Sequence, residues 1–214
     1  MSDMTRIDFE ALEAFGDAFD GWMQPRAASV SSLMNSLFVT GRALDRRPRI
    51  DGIEMLVAAP FDDDAPTIYT TKATPPRRAN LEHAIGVAHV LLQMRERLPD
   101  TPCRQFLEPH FPLLPTFSDG KARAVAFFRP QTTEAKTADL AAARLATAIV
   151  MPRARFQTTV TLSPDELVVD LQRRCNLFLP DAFVAARCKA LRASLEHKID
   201  RDKDDAASSP DVAP

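Results

Sequence analysis

The stretch Asp139-Leu140-Ala141-Ala142-Ala143-Arg144-Leu145-Ala146-Thr147-Ala148-Ile149-Val150-Met151-Pro152 decides how the rest of this chain is read. It forms most of an alanine-rich helix predicted from about Glu134 to Val150, and alanine is the best intrinsic helix former. The helix must stop before Pro152, because a proline drives the residue ahead of it out of the α region. A core helix of this kind needs partners, and they lie on both sides of it in the sequence.

Upstream, Pro75-Pro76 starts a second helix running from Arg78 to Arg97. There Leu81, Ile85, Ala88, Leu92 and Leu98 keep helical spacing, with basic residues toward the C-terminal end. Short apolar runs at Ile53 to Ala59, Thr67 to Thr71 and Ala124 to Phe128 read as three strands. Pro60, Asp62, Asp63, Asp64 and Pro66 separate the first two. These aspartates lack the glycine and distal glutamate of a calcium-binding hand. The proline-punctuated segment Leu98 to Pro115 is expected to be a loop.

At the N-terminus, Thr5 to Asp8 reads as a capping box before a helix with Phe9, Leu12, Phe15, Phe19 and Trp22 on one face. A second helix is predicted over Ser29 to Val39. Downstream, Ser163-Pro164-Asp165-Glu166 opens one short helix and Pro180-Asp181 another. The domain plan is a helical segment over 1–27, a main domain over 28–195, and a tail over 196–214 that is too polar to bury and is expected to be disordered.

Composition narrows the function classes. With 214 residues and 45% hydrophobic content, the chain is long enough for one domain with a sizeable core. A net charge of −2 gives no general reason to bind nucleic acid or an anionic membrane. Arg42, Arg46, Arg47 and Arg49 form a local basic run, read as a solvated loop. Cys103, Cys175 and Cys188 are odd in number and without a CxxC pair, against both a disulfide framework and a cysteine zinc site. No apolar run approaches membrane-spanning length and no basic, apolar leader opens the chain, so a cytoplasmic protein is expected.

The residues also carry a resemblance. Met55-Leu56-Val57, Pro66-Thr67-Ile68-Tyr69, Pro76-Arg77-Arg78-Ala79-Asn80-Leu81 and Ala88-His89-Val90-Leu91-Leu92 look like the N-terminal half of the ImmA/IrrE metallopeptidases. Asp139 to Pro152 is similar to that family's ExxANxFAAxLLMP segment, whose leading glutamate is the third zinc ligand. The resemblance covers about residues 28 to 195. It implies an α+β, zincin-like minimal metallopeptidase fold with two N-terminal helices and a small sheet of about three strands. The helix of His89 is then expected to pack on the helix of Asp139, followed by a helical C-terminus.

The departure from that pattern is chemical. In an HExxH helix, two histidines four residues apart bind zinc and the glutamate is general base. With His89 as the second histidine, Ile85 replaces the first and Gly86 the glutamate. His89 and Asp139 remain as vestigial ligands, too few to hold zinc. His83 points about 120° away from His89 around the helix, and Glu82 lies roughly 10.5 Å along it. His110, beside Glu108, is the one histidine able to fold over from elsewhere.

The resemblance implies a pseudopeptidase with no catalytic residues and no cofactor. It would bind a protein, such as a helix-turn-helix repressor or toxin-type partner in a phage, mobile-element or stress response of bacterial or phage origin. An alternative is a diverged active enzyme using His89, Asp139 and His110 around zinc, with Glu108 or Glu82 acting on water. Another is a DNA-binding module in the C-terminal helices, through Arg173, Arg174, Arg187, Lys189 and Arg192. Read without the resemblance, His89 is a core histidine and Asp139 a carboxylate favoured by a helix dipole.

Overall fold

The computed structural model describes residues 8–23, 30–45, 55–58, 65–94, 102–107, 124–127, 133–156 and 179–193, and positions 98, 100, 109, 163, 165, 166, 169 and 170. The order is α1 (Phe9–Met23), α2 (Val30–Ser36), β1 (Thr40–Leu44), β2 (Met55–Ala58), β3 (Thr67–Thr71), α3 (Pro76–Gln93), α4 (Pro102–Leu107), β4 (Ala124–Phe127), α5 (Thr133–Val150) and α6 (Arg153–Phe156). Residues 181–193 form a further helix. The architecture is α+β: a small mixed sheet backed by helices.

Strand order is β1-β3-β2-β4. β1 runs parallel to β3, with Gly41 beside Ile68, while β2 is antiparallel to both β3 and β4. Ile68 and Val57 face each other across the β2–β3 ladder and are fully buried. α3 covers β2 and β3 on one side and packs on α5 with the other, and α5 packs on α1. α3 is therefore enclosed on almost every face from Leu81 to Gln93. Pro76 occupies its first turn, where a missing N–H costs nothing.

Several expectations need correction. Among the described residues the sheet has four strands, not about three. The extra strand, β1, is short, contains Gly41 and is exposed along most of its length, so it lacks the apolar alternation that marks a strand. Arg42 belongs to this strand and not to a loop; Arg46, Arg47 and Arg49 lie outside the described residues.

The helix expected over Ser29 to Val39 ends at Ser36. Val39 N–H reaches the Met34 carbonyl and Phe38 N–H the Asn35 carbonyl, with Phe38 at φ 55. This is the left-handed helix stop that glycine usually serves. The loop expected over Leu98 to Pro115 contains α4, opened by Pro102 as a first-turn proline. α1 is capped by Asp8, whose Oδ1 accepts from Ala11 N–H at 3.0 Å; Thr5 lies outside the described residues. The expected box at Ser163 is present in both directions. Ser163 N–H donates to Glu166 Oε2 at 3.0 Å, and Glu166 N–H donates to Ser163 Oγ at 3.4 Å. The tail over 196–214 lies outside the described residues.

α1 belongs to the same core as the rest, through Leu12, Phe15 and Phe19. Gly16 makes the close approach possible: a Cβ there would lie 2.5 Å from the Ala148 carbonyl oxygen of α5. Trp22 and Phe106 stack at 5.2 Å between ring centres, joining α1 to α4.

Candidate functional site

The candidate site lies on α3, between the sheet and α5. Ile85 and His89, one turn apart, are both buried, His89 completely. Gly86 lies against β3, where a Cβ would come within 2.7 Å of Ile68 Cδ1 and 2.9 Å of Cγ1 and Cγ2. At the position where the motif has its glutamate, Ile68 fills the space a side chain would need. A glycine in mid-helix weakens the helix by about 1 kcal/mol, and close backbone approach to β3 is what it provides in return.

His89 is held one turn further along. The Gln93 side-chain amide lies 2.7 Å from His89 Nδ1. A carboxamide can face a ring nitrogen with its N–H group or its oxygen, and which one does so sets the tautomer of the imidazole. Sequence reasoning missed Gln93, although its spacing of four from His89 puts it on the same face.

Asp139 falls within α5, the helix packed on α3, and its side chain lies outside the described residues. His110 and Glu108 lie outside them too. Glu82 is buried and accepts from Arg78 Nε at 3.1 Å, an i,i+4 pair within α3. His83 turns elsewhere: its Nε2 is 3.3 Å from where a Cβ on Gly41 of β1 would be, and burial lowers its pKa below 6.5. The two histidines of α3 therefore face different neighbours.

No group of three or more His, Cys, Asp or Glu side chains converges to hold a metal among the described residues. Of His89, Asp139 and His110, only His89 has a described side chain, and one imidazole does not by itself hold a zinc ion. Cys188 is a buried free thiol that burial pushes up in pKa, the opposite of what a nucleophilic cysteine needs.

Neither a family model nor a curated protein matches this chain. What the site can do is decided by its own residues.

The C-terminal helix turns its main cation inward. Arg187, expected among the phosphate contacts, is buried. Its Nη1 and Nη2 donate to Glu13 Oε1 and Oε2 of α1 at 2.6 and 2.7 Å, and Nε and Nη2 donate to the Met151 carbonyl at 3.2 and 3.0 Å. It thus closes the C-terminal end of α5 and is spent on the fold. Lys189 is exposed; Arg173 and Arg174 lie outside the described residues.

Proposed function

We propose that this chain is a zincin-like scaffold of ImmA/IrrE type that has lost its metal chemistry and acts by binding a protein partner, a helix-turn-helix repressor or a toxin-type protein. The observation that carries the reading is the packing of Gly86 against Ile68. A glutamate at position 86 has no room, so the base position is closed by the fold as well as by its residue type. The arrangement of α3 between a small mixed sheet and α5 supports the zincin-like part of the reading, because it brings the helix of His89 onto the helix of Asp139.

Metal content is the test. After equilibration with zinc and removal of the excess, elemental mass spectrometry is expected to find well under one zinc per chain, equally in wild type and His89→Ala. Stoichiometric zinc lost in His89→Ala, together with chelator-sensitive cleavage of a repressor, would overturn the proposal in favour of an active metallopeptidase. The partner is tested by recovering a repressor or toxin with the chain from its own cells and rebuilding the pair from purified components.

A further inference from the structure

Among the described residues, the sheet ends on one side at β1, and the outer edge of that strand is exposed. β1 is last in the strand order, and Thr40 to Ala43 are exposed. Its ladder to β3 fixes which backbone groups face outward. Thr40 N–H donates to the Pro66 carbonyl and the Leu44 carbonyl accepts from Lys72 N–H, so Thr40, Arg42 and Leu44 bond toward β3. In a parallel pair the intervening residues bond the other way. Gly41 and Ala43 therefore turn their N–H and C=O groups to the open edge, a ready template for another strand.

Two features mark this edge. Arg42 is exposed and has no ion pair among the described residues, while Asp45, three residues on, is held by Lys72 Nζ at 2.6 Å. In the sequence Arg46, Arg47 and Arg49 follow it closely. Phe38, two residues before the strand, is 58% exposed in a left-handed conformation that a phenylalanine adopts only at a cost. An exposed aromatic ring kept in a strained stop, where glycine would be easier, points outward to a contact.

We propose that β1 is a docking edge for an extended acidic peptide segment of a partner protein. The segment adds as a strand beside β1, exchanging backbone hydrogen bonds with Gly41 and Ala43. It sets a carboxylate against Arg42 and rests an apolar side chain on Phe38. A second copy of the chain fits less well. Antiparallel pairing of two β1 strands with Gly41 opposite Ala43 sets Arg42 against Arg42, and like charges directly opposed destabilise a sheet. The docking uses Phe38 and β1 and neither His89 nor Gln93, so it holds whether or not the chain descends from a peptidase.

The test uses the full chain and a fluorescent peptide of about eight residues alternating glutamate with valine, followed by anisotropy. Binding is expected at low salt, weakened about tenfold in Arg42→Glu, because reversing the charge turns attraction into repulsion. Ala43→Pro removes only an outward N–H, which an edge strand tolerates, and is expected to abolish binding while leaving the circular dichroism unchanged. A lysine–valine peptide should not bind. The proposal is overturned by no binding at about 1 mM peptide, or by equal binding to wild type and Arg42→Glu. A dimer by light scattering that disappears in Ala43→Pro also overturns it, assigning the edge to a second copy. Arg42→Glu leaves the backbone intact, so the comparison stands even if Ala43→Pro fails to fold.

Discussion

At the scale of single residues, α3 is governed by two small facts: a missing side chain at Gly86 and a half-buried imidazole at His83. Gly86→Ala gains helix propensity of about 1 kcal/mol but forces a Cβ into Ile68, a stiff β-branched side chain contacted at three atoms. Overpacking of this kind costs about 1–3 kcal/mol. Urea unfolding is expected to show net destabilisation, reduced in an Ile68→Ala background; an unchanged midpoint would mean that Ile68 gives way freely.

His83 has a lowered pKa caused by burial, so the unfolded chain takes up its proton first as pH falls. Its contribution to stability is full above pH 6.5 and is lost as pH drops from there toward the folded value. Comparing wild type with His83→Gln from pH 7.5 to 5 isolates the effect, and parallel stability curves would refute it. The sequence made His89 and Gly86 visible through motif spacing. It could not reveal what faces them, because Ile68 is 18 residues before Gly86 in the numbering and meets it only after the sheet has formed.

Elements were legible in proportion to how much they bury. α1, α3 and α5 declare themselves by apolar spacing and by prolines at their ends, and the box at Ser163 and Glu166 by residue type. β1 and α4 do not, because β1 is exposed and α4 hides among prolines that look like loop punctuation. The stop after α2 was hidden by its unusual residue, since nothing in the sequence marks Phe38 as the left-handed position. Phe38→Gly should therefore raise stability by about 0.5–1 kcal/mol, the conformational penalty outweighing the added freedom of glycine in the unfolded chain. Thermal unfolding reads this directly; a loss of stability would mean that the ring is packed.

Across the whole molecule, the acidic face of α1 is joined to arginines that follow α5. Arg153 Nε donates to Asp17 Oδ2 at 3.0 Å and Nη1 to Glu10 Oε1 at 2.7 Å. Arg155 Nε donates to Asp20 Oδ2 at 3.0 Å, and Arg187 clasps Glu13. Amphipathic spacing reveals the helix but not these pairs, because charges so far apart in sequence give no periodic signal. Arg187 is buried while Glu13 is partly exposed, so Arg187→Ala should cost about 3 kcal/mol, the lower end for breaking a buried pair. Arg187→Lys should recover little, lacking the planar fork. Guanidinium unfolding checks both, and a loss below about 1 kcal/mol would class the clasp as an ordinary surface pair.

That clasp also sets a timetable for the cell. Glu13 leaves the ribosome before its arginine, which comes 174 residues later. At about 5–20 residues per second this is a wait of roughly 10–35 s. Until then α1 shows an apolar stripe and a row of carboxylates to whatever is near the ribosome. That interval is when α1, its core face uncovered, is most exposed to wrong contacts.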